Sequence, residues 1–525
     1  MEIREKLVAH LKKTANAQMY ELLGADPARA NRYTLALDDL YINYSRHRIT
    51  DETLDLLYEL AQDSGLAESI DALFTGKPVN LTENRPALHT ALRVPGDNGI
   101  KINGVNISGQ IQEELSHMES FVTRLHKGEI RGYTGKPVNT LVNIGIGGSH
   151  AGPRFVYDAL KKYRINDLKI YFVSNIDYRE IDDVLQKSDP ETTLFIISSK
   201  SFTTAETLTN AQTAKRWLNN HGCNNADLHF IAVTSAIKAA EDFGIAKENI
   251  FRIWDWVGGR YSVWSATGLP VAAGIGMENY RSFLAGAHIM DEHFRTCTFE
   301  KNIPVLLGLL DTWYINFFNT KCLAIIPYDQ SLKFLLEYLS QLIMESNGKS
   351  LNHSNEPVTY TTSPVIWGGI GTNAQHTFMQ LLHQGTHLIP VDFLIDMDPG
   401  EEETHHNLLL ANCLAQGEAL MNGNLDKSAD QKPYNKVNGN NPSTTIAYHK
   451  LTPQMLGMLL AMYEHRTFVQ AVIWDINPFD QWGVELGKKI SGNIKTSLEN
   501  NSSDKALDAT TTELLNHYYQ SRNKK

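Results

Sequence analysis

The sequence predicts an α/β protein with two parallel-sheet domains, a helical segment before them and an arm after them. Short apolar runs alternate with helical stretches in two separate series. This alternation is typical of βαβ units and a parallel sheet. The chain has 525 residues, and a soft prior of about 150 residues per domain gives about three. We therefore expect at least two hydrophobic cores.

Each element follows from its apolar spacing. Residues 1 to about 105 are expected to be mostly helical, because Val8, Leu11, Ala15 and Met19 recur at the spacing of one helical face. A helical stretch around residues 271–320 is expected to join the two series. The predicted strands are Leu141–Ile146, Ile170–Val173, Leu194–Ile197 and Phe230–Val233 in the first series, and Cys322–Ile326, Val365–Trp367, Leu388–Val391 and Ala471–Trp474 in the second.

The predicted organisation places a helical N-terminal segment at residues 1–105, packed on the larger domain. A smaller α/β domain is expected at 106–270, a larger one at 271–495, and a C-terminal arm at 496–525. The polar stretch Asn422–Thr445 is rich in Asn, Asp, Lys, Gly and Pro, so it is expected to be a long surface excursion.

Composition narrows the class of protein. Hydrophobic residues make up 42% and charged residues 20% of the chain, which excludes fibrous and wholly disordered proteins. The net charge is 48 − 59 = −11, which argues against nucleic acid as the main partner. The four cysteines form no CxxC motif, and the first twenty residues lack the apolar core of a signal peptide. No run approaches about 20 apolar residues, so we expect a cytoplasmic protein without a membrane partner.

Two polar turns follow consecutive predicted strands. Gly145-Ile-Gly-Gly-Ser149 is a glycine-rich turn before a helix, where backbone amides can approach phosphate oxygens. A dinucleotide fingerprint would need a third glycine at His150, so a sugar phosphate is the more natural ligand. Ser198–Glu206 holds several hydroxyls and Lys200, and Thr203 and Glu206 have capping-box spacing. Tight packing turns remain the simpler alternative for both.

Candidates for acid–base chemistry occur later in the chain. Glu345 ends an apolar helical stripe, four residues after Gln341, and both would share one helix face. His376 follows a Gly-Thr-Asn turn and would be neutral near pH 7 at a helix start. Arg260 follows two glycines and could lie against an anion. Taken singly, Glu345 could be a solvated surface acid and His376 a packing residue.

Two further patterns have plain explanations. Glu485 and Lys488 in the segment Phe479–Lys488 could be an ordinary surface ion pair on a helix. His405-His406 after Glu401-Glu-Glu403 could suggest a metal site. However, adjacent residues on a helix diverge, and acids at a helix start suit the helix dipole. We therefore expect no metal there.

Taken together, these segments resemble the phosphoglucose isomerase family. The segments that match its pattern are Asp255–Gly268, Phe479–Lys488, Glu345-Ser-Asn-Gly-Lys349, Gly371-Thr-Asn-Ala-Gln-His376 and His383-Gln-Gly-Thr386. The resemblance spans at least residues 143–488. It implies two sugar-isomerase-type (SIS), doubly wound, flavodoxin-like domains, of which the smaller one binds sugar phosphate. The chain departs from the family's usual pattern at His150-Ala151, Ser201 and Gly369-Ile370.

The resemblance implies the isomerisation of glucose 6-phosphate to fructose 6-phosphate, in glycolysis and gluconeogenesis. Glu345 would move a proton between C2 and C1 through an enediolate, His376 and Lys488 would open the ring, and Arg260 would stabilise the enediolate. It also implies a homodimer, in which the histidine reaches the neighbour's site, and no metal or organic cofactor. The residues that would bind the substrate are Gly148, Ser149, Ser199, Lys200, Ser201, Phe202, Thr203, Thr204, Gln341 and Gln481.

Three alternatives remain open at this point. A sugar-phosphate sensor would need the two phosphate-binding turns but not the set of Glu345, His376 and Lys488. The second alternative is a relative that aminates its substrate or also acts on mannose 6-phosphate. No residue that we can single out distinguishes it from an isomerase of glucose 6-phosphate alone. An NAD-dependent dehydrogenase is the weakest alternative, because His150 interrupts the glycine fingerprint.

Overall fold

The computed structural model describes residues 2–96, 99–102, 104–165, 167–424, 432–500 and 507–522. It divides into two compact units, Met1–Pro478 and Phe479–Lys525. The first unit contains two sheets with parallel strands, and the second contains the helices α18 (Glu485–Asn500) and α19 (Ala509–Arg522). The predicted α/β class is confirmed, and both of these sheets contain a run of parallel strands. None of the helices in the described ranges is long and apolar enough to cross a membrane.

The smaller sheet is entirely parallel. Its spatial order is β6-β5-β7-β8-β9, so the chain leaves β5 on one side to form β6 and returns on the other side to form β7. A crevice opens at such a reversal, beyond the carboxyl ends of the strands. The strands are β5 (Thr140–Ile144), β6 (Lys169–Val173), β7 (Thr193–Ser198), β8 (Phe230–Thr234) and β9 (Ile250–Arg252). They agree with the predicted runs to within two residues at either end, and β9 was not predicted.

The larger sheet is mixed. Its order is β1-β2-β13-β12-β10-β11, with parallel pairing from β13 to β11 and antiparallel pairing at β1 and β2. The parallel strands are β10 (Cys322–Tyr328), β11 (Val365–Gly368), β12 (Val391–Asp396) and β13 (Ser443–Tyr448). A separate two-stranded sheet pairs β3 (Lys101–Ile102) with β4 (Val105–Asn106).

Helices flank both sheets. Those before and around the smaller sheet are α1 (Ile3–Thr14), α2 (Met19–Ala25), α3 (Arg29–Arg32), α4 (Asp51–Asp63), α5 (Leu66–Thr75), α6 (Ile107–His126), α7 (Ala151–Ala159), α8 (Tyr178–Gln186), α9 (Ala205–Asn220) and α10 (Ile237–Phe243). The later ones in the first unit are α11 (Leu269–Ile275), α12 (Met277–Thr296), α13 (Ile303–Thr312), α14 (Leu335–Leu339), α15 (Met379–Gln384), α16 (Glu403–Asn422) and α17 (Pro453–Ile473).

The N-terminal segment contains a hairpin that the helical prediction missed. Strands β1 (Thr34–Leu37) and β2 (Leu40–Arg46) extend the larger sheet by pairing with β13. Leu40, Ile42 and Tyr44 are buried, whereas Tyr41 between them is 49% exposed. This alternation of apolar residues is the signal of a half-buried strand, and it was readable in the sequence.

The predicted strand Ala471–Trp474 is wrong. These residues form the end of α17 and its C-cap, and α17 is buried along almost its whole length. A helix that is buried on all sides shows no amphipathic stripe, so its last apolar residues are indistinguishable from a short buried strand. The strand beside β12 is instead β13, which begins inside the predicted surface excursion. Residues 425–431 of that excursion lie outside the described residues.

Candidate active site

Two turns lie at the crevice of the smaller sheet, where the order of the strands reverses. The turn Gly147–Ser149 follows β5, and the turn Ser199–Thr204 follows β7, the adjacent strand. Because parallel strands end at one edge of the sheet, both turns lie at that edge. The structure therefore brings together the two polar turns that the sequence singled out.

The glycines of the first turn serve close packing within the chain. A Cβ on Gly148 would lie 1.9 Å from the carbonyl oxygen of Gly259, which precedes Arg260. Gly147 has a φ of +60°, and a Cβ there would lie 3.2 Å from Nε2 of Gln341. The turn thus abuts both the segment that carries Arg260 and the helix that carries Gln341.

Glu345 and Arg260 form the centre of the site. The helix α14 continues as a wider π-helical turn, Ser340–Glu345, and such turns are frequent at functional sites. Gln341 Nε2 donates to Glu345 Oε2 at 3.0 Å, which confirms that the two side chains share a face. Arg260 Nη1 lies 3.3 Å from the same oxygen. The arginine side chain is 2% exposed and the glutamate side chain 24% exposed, so the glutamate is the more accessible of the two side chains.

Other groups hold Arg260 in place. Its Nε donates to Ser346 Oγ at 2.6 Å, and its Nη2 donates to the carbonyl oxygen of Pro478. The hydroxyl of Tyr261 lies 2.9 Å from Ser346 Oγ. Ser346 and Tyr261 were not among the predicted site residues. Their only signal in the sequence was their position beside Glu345 and Arg260 within the family's motifs.

The second turn presents hydroxyls at the start of α9. Ser199 Oγ lies 3.1 Å from Thr204 Oγ1, and Ser201 Oγ lies 2.7 Å from Thr203 Oγ1. Thr204 precedes the helix but makes no side-chain cap, so the predicted capping box from Thr203 is wrong. Phe202 has a φ of +53° and packs its ring into the hydrophobic core at the smaller sheet. Only its backbone can therefore face a ligand.

The ammonium group of Lys200 points to backbone carbonyl oxygens of the protein. Nζ donates to the carbonyl oxygens of Asp255 at 2.8 Å and Val257 at 3.0 Å, just before the glycines that lead to Arg260. Burial, helped by the positive charge of Arg85, lowers the pKa of Lys200 to about 8. The side chain thus joins the hydroxyl turn to the segment that carries the arginine.

The remaining predicted residues belong to other elements of the chain. His376 is exposed, in a short turn (Asn373–His376) that follows β11. Its neighbour Gln375 donates to Asn412 of α16 at 3.0 Å. Gln481 and Lys488 belong to the second unit, where Lys488 pairs with Glu485 at 2.7 Å.

Two histidines that the sequence singled out also have defined surroundings. His150 is buried beside Arg154 and within 3.8 Å of Glu337, and burial lowers its pKa to about 4. His405 is exposed and lies 3.9 Å from Glu402. Among the described residues, no group of three or more His, Cys, Asp or Glu side chains is placed to hold a metal. The absence of a cofactor stays a prediction.

A family model described as phosphoglucose isomerase matches residues 43–515. The chain belongs to this family. It is 47% identical to the glucose-6-phosphate isomerase of Marinomonas sp. (strain MWYL1), over 97% of both chains. It is 48% identical to that of Shewanella baltica (strain OS223), over 99% of this chain and 98% of the other.

The phosphoglucose isomerase fold is equally evident in a solved relative. The crystal structure of a glucose-6-phosphate isomerase from Chlamydia trachomatis D/UW-3/Cx superimposes with a TM-score of 0.87 and 31% identity. The superposition covers 99% of this chain and 98% of that one. The superposition thus extends over nearly the whole length of both chains.

Proposed function

We infer that the protein interconverts glucose 6-phosphate and fructose 6-phosphate, the reaction of the phosphoglucose isomerase family. The observation that carries the inference is the contact between Glu345 and Arg260 beside the glycine turn. An aldose–ketose isomerase needs a carboxylate base and a fixed cation for the charge that develops on the substrate. A sensor of sugar phosphates would need neither.

Each group has a defined part in the proposed reaction. The Glu345 carboxylate removes the proton from C2 of the open-chain sugar and returns it to C1, while the hydroxyl proton on O2 passes to O1. Between these steps the substrate is an enediolate, whose negative charge is stabilised by Arg260. Gln341 holds the carboxylate through its 3.0 Å hydrogen bond. Gly148 and Ser149 line the substrate from the first turn, and Gln481 is proposed as a further substrate-binding residue.

The phosphate is proposed to bind at the second turn. Hydroxyls and backbone N–H groups at the start of a long helix suit a phosphate dianion. Ser199, Ser201, Thr203 and Thr204 supply hydroxyls, and Phe202 supplies its backbone N–H. Lys200 adds positive charge from its position against the carbonyls of Asp255 and Val257.

The central experiment measures the isomerisation of fructose 6-phosphate, followed by a coupled glucose-6-phosphate dehydrogenase. The wild type is compared with Glu345→Gln and with a blank without enzyme. We expect turnover that persists in the presence of EDTA and falls by about 10³-fold or more in the variant, because the amide cannot accept the proton. A folded wild type that binds the sugar phosphate without turning it over would favour the sensor. Relative turnover of mannose 6-phosphate would test the dual-specificity alternative.

We further propose a cytoplasmic homodimer, in which His376 serves the site of the neighbouring subunit and opens the sugar ring with Lys488. Two observations support this arrangement. His376 is exposed and lies on a turn that contacts α16 through Gln375 and Asn412. On α16 itself, Leu408 is 66% and Leu414 43% exposed, an apolar surface that a second copy could cover.

Mixing two inactive variants tests the shared site. Glu345→Gln keeps the histidine, and His376→Ala keeps the base. If the histidine crosses to the neighbour, half of the dimers formed by subunit exchange carry one complete site, and about a quarter of the wild-type activity returns. If each histidine serves its own subunit, mixing restores nothing. Sedimentation equilibrium provides the oligomeric state independently.

A further inference from the structure

Ser346 is buried between the proposed base and the proposed cation. It directly follows Glu345 and is fully shielded from solvent. Its Oγ lies 2.6 Å from Arg260 Nε and 2.9 Å from the Tyr261 hydroxyl. We propose that Ser346 is a positioning residue, which orients the Arg260 guanidinium so that one edge stays beside the Glu345 carboxylate. This inference rests on the proposed function.

The donor and acceptor inventory explains why a hydroxyl is needed at this position. A guanidinium only donates hydrogen bonds, so Ser346 Oγ must be the acceptor for Nε. The serine oxygen retains a second lone pair and one hydrogen, and the Tyr261 hydroxyl shares a hydrogen bond with it. Nη2 donates to the Pro478 carbonyl, so both Nε and Nη2 of the guanidinium are held by acceptors. This orientation directs the remaining nitrogen, Nη1, to Glu345.

The backbone around Ser346 is itself anchored before any substrate binds. The buried Asn347 donates to the carbonyl oxygen of Thr467 at 3.1 Å and to Gln470 Oε1 at 2.8 Å, both on α17. Lys349 Nζ donates to the carbonyl oxygens of Glu345 and Ser346 at 3.1 and 2.8 Å. The serine hydroxyl therefore occupies a fixed position, which is what preorganised electrostatic stabilisation requires.

The consequence concerns the transition state more than substrate binding. The enediolate charge develops only during proton transfer, so a misdirected guanidinium weakens an interaction that the ground state lacks. Such a loss lowers kcat and leaves KM nearly unchanged. A residue that merely supported the fold would instead lower the amount of active protein and the unfolding temperature.

The test compares Ser346→Ala with Ser340→Ala. The control serine lies on the same helical segment and donates to the carbonyl oxygen of Leu336 at 2.7 Å, away from the arginine. We expect kcat to fall by about 10- to 100-fold in Ser346→Ala, the range for removing a hydrogen bond to a charged group. Ser340→Ala should remain within about twofold of the wild type. Ser346→Cys, with a similar volume but a weak acceptor, replaces Ser346→Ala if that variant fails to fold.

A double-mutant cycle then asks whether Ser346 acts through Arg260. Lysine at position 260 has no Nε donor, so Ser346→Ala in an Arg260→Lys background should cost less than about threefold in kcat. An equal fall in both backgrounds would overturn the proposal, as would a kcat of Ser346→Ala equal to that of Ser340→Ala. A wild type without isomerase activity would count against the proposed function instead.

Discussion

At the scale of single residues, Lys200 predicts how activity depends on pH. Burial, with a contribution from Arg85, lowers its pKa to about 8, so the side chain is cationic below this pH and neutral above it. The cation favours a phosphate dianion nearby. We expect kcat/KM for fructose 6-phosphate to fall above about pH 8, because kcat/KM reports the ionisation of the free enzyme.

Two variants test whether Lys200 causes this fall of kcat/KM at alkaline pH, the alkaline limb of the profile. In Lys200→Met, kcat/KM should be lower below pH 8 and should show no limb at about 8. The matched control is Lys238→Met, which removes an exposed lysine that pairs with Asp242 at 2.7 Å. The control should keep the wild-type profile. An alkaline limb that persists in Lys200→Met would belong to another group.

At the scale of elements, the contact between two turns predicts a strict requirement for glycine. The Gly147–Ser149 turn meets the Arg260 segment so closely that a Cβ on Gly148 would overlap the carbonyl oxygen of Gly259. Gly148→Ala should therefore destabilise the protein by about 1–3 kcal/mol, as overpacking does, and should displace Arg260. The measurements are the midpoint of thermal unfolding and the turnover of fructose 6-phosphate.

Gly259→Ala is the control for this contact. A Cβ on Gly259 meets no atom within 4 Å, although the residue lies on the other side of the same junction. Its unfolding midpoint should stay near that of the wild type. If Gly148→Ala and Gly259→Ala lowered the unfolding midpoint equally, the contact of Gly148 with Gly259 would not be the cause.

At the scale of the whole molecule, a buried ionic cluster joins the N-terminal segment to two long helices. Arg93 donates to Asp291 of α12 through two bonds of 2.6 Å and to Glu464 of α17 through one of 2.6 Å. His465 lies 2.7 Å from the same aspartate. Although burial opposes ionisation, the Arg93 guanidinium lowers the pKa of Asp291.

Removing the cation from this cluster should destabilise the molecule strongly. Arg93→Met leaves two buried carboxylates without their partner, a loss of about 3–5 kcal/mol for a broken buried pair. We expect the unfolding midpoint to fall by about 3–5 °C. Arg179→Met, at a side chain that is 90% exposed, should leave it unchanged. Similar midpoints for the two variants would show that the cluster contributes little to stability.

Much of this architecture was predictable because it is local. Four strands of the smaller sheet and the helix before Glu345 follow from apolar runs of the expected length. The Gln341–Glu345 pair follows from helical geometry alone. The hairpin β1–β2 was missed although the alternation in β2 was readable. The strand β13 was missed because its sequence mixes polar and apolar residues and it is stabilised by long-range pairing. The buried helix α17 was partly mistaken for a strand for the opposite reason, its uniform hydrophobicity.

Short-range patterns and long family motifs were enough to predict the α/β class, the two polar turns and the identity of the proposed catalytic groups. The directions of the side chains could not be predicted, because they depend on tertiary contacts. The tertiary structure placed Arg260 on Ser346 and Glu345, and it directed Lys200 to backbone carbonyls. Partners 86 residues apart, as Arg260 and Ser346 are, meet only through tertiary packing. Local propensity contains no information about that packing.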